Sequence, residues 1–171
     1  KELRSRGHYI IGVDLAEQST NPEVDVYMQA DISEATDVDQ IWSSLPRNID
    51  VLINNAGVSV FTPFEERTAE EISHVLNVNI KGTIMMVQGI FNKYFKKNNK
   101  GCIVNIGSIY GVCSGDMRLY EDGDRRTPEV YGASKAAVIN LTKYFAAYMA
   151  PYQVRVNCIS PGGVQNTQSA S

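Results

Sequence analysis

Short runs of β-branched and other apolar residues alternate along the chain with longer stretches whose apolar positions recur every three to four residues. The short runs are 8–14 (HYIIGVD), 24–29 (VDVYMQ), 50–54 (DVLIN), 102–107 (CIVNIG) and 154–159 (VRVNCI). They read as strands, several so continuously apolar that cover on both faces is expected. Helical periodicity runs through 36–45, 69–96 and 130–150. The second helix opens on a capping box, Thr68 with Glu71 three residues later. The third carries Val138, Leu141, Phe145 and Met149 on one stripe, and Pro151 stops it. Such alternation predicts an α/β fold, a doubly wound parallel sheet with helices on both faces, in a single domain over 1–171. One polar segment, 114–129 (SGDMRLYEDGDRRTPE), breaks the rhythm between a strand end and a helix start. Ligands of open α/β sheets bind beyond the carboxyl ends of strands, so this segment is a candidate substrate wall. A surface loop without function is the alternative.

Composition narrows the function classes. Of 171 residues, 43% are hydrophobic and 20% charged, an ordinary globular balance. A net charge of −3 gives no basic face for nucleic acid. The one dense basic stretch, Lys96, Lys97 and Lys100, reads as a solvated loop. No apolar run approaches the roughly 18 residues a membrane span needs, and Lys1-Glu2-Leu3-Arg4 does not read as a signal peptide. Cys102, Cys113 and Cys158 have no paired spacing and an odd count, which suits a reducing cytoplasm better than a disulfide framework. His8 and His74 lie far apart, and no metal site is expected.

Chemistry concentrates at a few loops. Tyr131 and Lys135 stand four residues apart at the start of a predicted helix, on one face. An unperturbed phenol ionises near pH 10, and a neighbouring ammonium favours the phenolate, which makes such a tyrosine a workable proton donor and acceptor. Asn54-Asn55-Ala56-Gly57, Gly107-Ser108 and Ser160-Pro161-Gly162-Gly163 each follow a strand directly. The three loops and the Tyr131 helix therefore converge on one edge of the sheet, as an active site at its carboxyl crest should.

At these residues the sequence resembles the short-chain dehydrogenase/reductase family over nearly its whole length. NNAG (54–57), Asn79, Ser108, the Tyr131-x-x-x-Lys135 pair and Pro161-Gly162 occur in the family's order, in its compact single-domain branch. The resemblance implies an oxidoreductase that moves hydride between a nicotinamide cofactor and a carbonyl or secondary alcohol. Tyr131 would be the general acid/base. Lys135 would favour its ionised form and hold the nicotinamide ribose. Ser108 would hydrogen-bond the reacting oxygen, and Asn79 would anchor a water in the proton relay. Asn54, Ala56 and Gly57 would line the adenosine side, and Pro161, Gly162 and Val164 would flank the nicotinamide. Asp14 ends a strand where a carboxylate accepts from a ribose 2′-hydroxyl and repels a 2′-phosphate, which favours NAD over NADP. Asp31, with Ile32 after it, matches the family position beside the adenine. A homo-oligomer, dimer or tetramer, is the family expectation.

Departures from the pattern carry expectations of their own. The Gly-rich phosphate loop and the family's first strand have no counterpart, so the chain reads as incomplete at both ends and inactive alone. In the family's strand order, 3-2-1-4-5-6, that strand lies between the segments 8–14 and 50–54, which should not pair directly. Asn166 stands where a threonine commonly closes the Pro-Gly loop, with Thr167 next. Ser108 and Tyr131 are 23 positions apart, more than usual, because of the polar segment. Its Arg118, Tyr120, Arg125 and Arg126, with Asp116, Glu121, Asp122 and Asp124, suit a polyhydroxy or anionic substrate better than a steroid or acyl chain. The flanking loops look similar to relatives linked to bacterial surface-sugar synthesis. The alternatives are a catalytically inactive dehydrogenase-like binding subunit, against which the intact Asn79, Ser108, Tyr131 and Lys135 count, and an NADP-dependent acyl reductase, against which Asp14 counts.

Overall fold

A computed structural model describes residues 2–19, 22–45, 48–116, 118 and 127–163. After a short helix α1 (Glu2–Ser5), strand β1 (Ile11–Asp14) runs parallel to β2 (Val26–Gln29), with Gly12 opposite Tyr27. A second parallel sheet places β4 (Gly101–Ile106) between β3 (Val51–Asn54) and β5 (Val154–Ile159). All five strands lie at or within three residues of the segments read from the sequence. No ladder joins β1 to β3 among the described residues. The fold is α/β with parallel, Rossmann-like sheets.

Strand periodicity decides which side chains are covered. Leu52, Ile103, Val154 and Val156 share one buried face, packed in a single cluster with helices α2 (Ala35–Ser44), α4 (Thr83–Ile90) and α6 (Glu129–Met149). Ile41, Val87, Ile90 and Phe95 are essentially inaccessible at its centre. Each such side chain contributes about 1.5–3 kcal/mol by leaving water. The opposite face differs from the expectation of cover on both sides: Val51 and Ile53 remain 49% and 48% exposed. Apolar residues at both parities had suggested two covers, but the described helices α2, α4 and α6 all join the cluster on one face.

The helical run expected over 69–96 extends from Ala69 to Asn98, yet it is not uniformly α. Helix α3 (Ala69–Leu76) passes into a π-helical segment, Asn77–Gly82, then α4, a second π-helical segment, Phe91–Phe95, and the short α5 (Lys96–Asn98). A π turn inserts a residue and rotates the following face, a device found often at functional sites. The capping box is present as expected: the Thr68 hydroxyl accepts from the Glu71 amide, and Glu71 accepts from the Thr68 amide. Asn99 ends the run in a left-handed conformation at φ 49°, and Lys96, Lys97 and Lys100 are exposed. On α6, Val138, Phe145 and Met149 are buried and Leu141 packs against the cluster. Met149 is its last residue, and Pro151 lies in the 3-10 turn that follows.

All three cysteines are free. Among the described residues no helix is long and apolar enough to cross a membrane, and no three potential metal ligands cluster.

Candidate active site

Parallel strands deliver their carboxyl ends to one edge, and the candidate residues gather there. The backbone at the end of β4 continues pairing with β5, Gly107 N donating to Ile159 O at 2.7 Å and Ile109 N to Pro161 O at 3.0 Å. These two bonds fix the Ser108 loop against the Pro161-Gly162 loop. Ser108 then caps the 3-10 turn Ile109–Gly111, its hydroxyl accepting from Tyr110 N at 3.1 Å. That turn lies directly against α6: a Cβ on Gly111 would stand 2.7 Å from the carbonyl carbon of Lys135. A glycine is what lets the Ser108 turn and the Tyr131 helix approach this closely.

Tyr131 occupies the first turn of α6 and Lys135 the next turn on the same face. The Lys135 ammonium lies 5.6 Å from the Tyr131 ring centre and donates to Ile106 O at 2.8 Å. Only 5% of Lys135 is exposed. Burial pushes its ammonium below the usual lysine range, and the nearby Cys158 opposes that shift. One of its three N–H donors is used by β4, which leaves two for a ligand. Gly57 borders this group, with the position of a Cβ 3.3 Å from Lys135 Nζ and 3.4 Å from Asn79 Oδ1.

Asn79 is placed by the first π-helical segment and is 1% exposed. Its Oδ1 accepts from Val58 N at 2.8 Å, and its Nδ2 donates to Val58 O at 3.0 Å and to Ser134 Oγ at 2.9 Å. Ser134 in turn donates to Tyr131 O at 2.7 Å. The Asn79 side chain thus spends both N–H donors within the protein, and the Asn79 backbone carbonyl accepts from Thr83 Oγ1 at 2.9 Å. Ser134, fully buried, was not singled out in the sequence; its position three residues after Tyr131 was the available signal.

A cavity of about 330 Å³ joins these elements, lined by Asn55, Gly57, Ser108, Tyr131, Lys135, Pro161 and Gly162 among others. Asn54 does not line it. Its Nδ2 instead donates to Asn105 Oδ1 at 2.8 Å, and Asn105 Nδ2 donates to Thr142 Oγ1 at 2.9 Å, a buried polar chain from β3 through β4 to α6. Ala56 is exposed beside the cavity-lining Gly57. Asp14 is exposed at the end of β1, its Oδ1 accepting from Ala16 N at 3.1 Å. Asp31 turns its Oδ1 to Ser33 N at 2.8 Å, and Ile32 packs against Gly82. These last three belong to the β1–β2 half and do not line the cavity. Val164, Asn166, Thr167 and residues 117 and 119–126 of the polar segment lie outside the described residues; Arg118 is paired with Asp116 at 2.7 Å and exposed.

The arrangement supplies a phenol, a buried ammonium and a hydroxyl around one cavity, a set suited to proton transfer at an oxygen. The short chain dehydrogenase family model matches residues 13–171. An uncharacterised oxidoreductase of Schizosaccharomyces pombe is 32% identical over 170 residues, 96% of this chain and 60% of its own length. A solved short chain dehydrogenase from Leptospira borgpetersenii with bound NAD+ is 44% identical at a TM-score of 0.88, over 98% of this chain and 66% of that one. A serine dehydrogenase complexed with NADP+ is 26% identical at a TM-score of 0.78, over 94% of this chain and 64% of that one. The chain spans about three fifths of the length of these relatives. The chain belongs to the short-chain dehydrogenase family.

Proposed function

We propose that the protein carrying this chain is an NAD-dependent oxidoreductase that interconverts a secondary alcohol and a ketone, with Tyr131 as general acid/base. The single observation that carries this reading is the cavity at which Tyr131, Ser108 and the buried Lys135 meet. Its residues fit a nicotinamide nucleotide: small backbone at Gly57 and Gly162 allows a flat ring to approach, and the ammonium keeps two donors for ribose hydroxyls. When bound, the nicotinamide supplies hydride acceptance or donation at carbon.

The chain's own residues manage the oxygen. Ser108 holds the substrate oxygen by hydrogen bonding, and Tyr131 takes its proton during oxidation or returns one during reduction. Lys135 sits in a desolvated position, where its charge acts on the phenolate more strongly than in water. Asn79 acts through position: by binding Val58 and Ser134 it fixes the Gly57 loop against the Tyr131 helix.

Asp14 favours NAD, since an exposed carboxylate at the end of β1 repels a 2′-phosphate. That an NAD+-bound relative is 44% identical supports the same choice. The Asp116–Arg118 pair is the described part of the charged segment that favours a polyhydroxy substrate, while the exposed Ile109 and Val112 nearby suit an apolar flank. A cytoplasmic setting fits the free cysteines, and assembly into a dimer or tetramer follows the family expectation. Steady-state kinetics on polyols, cyclic alcohols and acyl ketones with both cofactors test the reading. Turnover with NAD on a secondary alcohol is expected, and turnover confined to NADP would overturn the cofactor assignment.

A further inference from the structure

Helix α6 carries Tyr131 in its first turn, yet its N-terminus lacks the usual support. The N-cap position is Pro128, which offers no side-chain acceptor and makes no side-chain cap hydrogen bond. The first amides of an α-helix have no intrahelical partners, so an uncapped first turn frays unless something outside the helix holds it. Here a proton-transferring residue would sit in that turn.

Arg67 reaches this turn from outside the helix. The Arg67 side chain is 4% exposed, and its Nε lies 2.8 Å from Glu129 Oε1, the first residue of α6 and two before Tyr131. The approach is an ion pair without hydrogen-bond alignment at Nε. The two Nη groups are committed elsewhere: Nη1 donates to Val60 O at 3.3 Å and Nη2 to Thr62 O at 2.7 Å. Those carbonyls belong to the loop that leaves Gly57 and Val58, the segment already bound by Asn79 and bordering the Lys135 ammonium. Thr62 is itself hydrogen-bonded to Glu71, the capping-box acid of α3. One buried guanidinium thus connects the loop beside Lys135, the start of α3 and the first turn of α6. A planar guanidinium spreads these attachments over three separate nitrogens in fixed directions, whereas an ammonium's donors all leave one nitrogen.

We infer that Arg67 and Glu129 form a positioning pair that sets the Tyr131 hydroxyl against Ser108 and Lys135 by anchoring the uncapped start of α6. The inference rests on Tyr131 being the acid/base. Neither residue reaches the reacting atoms; both act through the helix turn.

The test is a double-mutant cycle in the full-length protein, with Arg67→Lys, Glu129→Ala and both together. Each single change is expected to lower kcat about ten- to a hundredfold, the cost of a misplaced catalytic group. NAD binding, read by fluorescence titration, should stay within about twofold in Glu129→Ala, which leaves in place the Arg67 bonds to Val60 O and Thr62 O behind the Gly57 loop. The solvent deuterium isotope effect on kcat should rise, because proton transfer becomes more rate-limiting. The double variant should be no slower than the worse single, and Glu129→Gln, which keeps a side-chain oxygen, should recover part of the loss. Additive losses, or losses that track thermal stability with an unchanged isotope effect, would overturn the positioning role. Tyr131→Phe in parallel separates the two claims: if it stays active, the acid/base reading fails, whatever the cycle shows.

Discussion

Replacing Gly111 by alanine should damage stability and turnover together, because the methyl has nowhere to go. Built on the present backbone it would stand 2.7 Å from the Lys135 carbonyl carbon, 2.8 Å from Ala136 N and 2.9 Å from Ile139 Cδ1. Favourable carbon contacts lie near 3.5–4.0 Å, so a retreat of about 0.8 Å is needed. Two of the three obstacles are helix backbone and cannot rotate away, so the 3-10 turn must move. Overpacking of this kind costs roughly 1–3 kcal/mol. The displaced turn includes the partners of Ser108, since Tyr110 N donates to its hydroxyl and Gly111 N to its carbonyl at 3.0 Å. A shift approaching 1 Å at a catalytic group lowers kcat/KM by up to about a hundredfold. Urea unfolding with an unchanged m-value measures the first effect and steady-state kinetics the second. Gly162→Ala is the control: its nearest neighbour, Ile109 Cγ2, is 3.7 Å away, an ordinary contact. Gly162→Ala should unfold within about 0.5 kcal/mol of the parent. A Gly111→Ala variant equally close to the parent would refute the packing argument.

Asp14→Ala should narrow or reverse the preference for NAD over NADP in competition kinetics; a parent enzyme that already prefers NADP would remove the role given to Asp14. The Thr62 hydroxyl first, then the Thr68 amide and Arg67, hold the Glu71 carboxyl below the usual glutamate range. Its contribution to stability is therefore complete above the ordinary glutamate pKa and lost as pH falls through the lowered value, so Glu71→Gln should flatten the acid side of a stability profile. Thr68→Ala, which removes the N-cap acceptor of α3, should cost about 1 kcal/mol by chemical denaturation. Lys135 has the same sign in a more alkaline window. Burial lowers its folded-state affinity for a proton, so the unfolded chain holds the proton to higher pH and stability from this group rises as pH climbs toward the ordinary lysine value. Lys135→Met should abolish that rise in a denaturation series.

The residues that line the candidate site were legible because each announces itself locally. Tyr131 and Lys135 share a helical face at one spacing, and NNAG, Gly107-Ser108 and Pro161-Gly162 each follow a strand. Parallel strands then force those loops to one edge. The supporting contacts were not legible, because they join ordinary polar residues far apart in the chain. Asn79 meets Ser134 across 55 positions and Asn54 meets Asn105 across 51, with no pattern that marks either pair in advance. The Arg67–Glu129 pair is of the same kind. The π-helical segments escaped for a different reason: Val78, Ile80, Ile84, Met85, Met86 and Val87 crowd this stretch so densely that a phase shift of one residue leaves no gap in the apolar pattern. Val51-Leu52-Ile53 read as a strand with apolar residues at both parities, and of the three only Leu52 is buried among the described residues.

The most direct test of the central claim is Tyr131→Phe, which removes one oxygen and leaves the ring that faces Lys135. Turnover of a secondary alcohol with NAD should fall by about 10²–10⁴, the usual worth of a positioned acid/base, while NAD titration gives an affinity within about twofold of the parent. Retention of more than about a tenth of parental turnover would contradict the account, because no general acid/base of that importance would then have been removed.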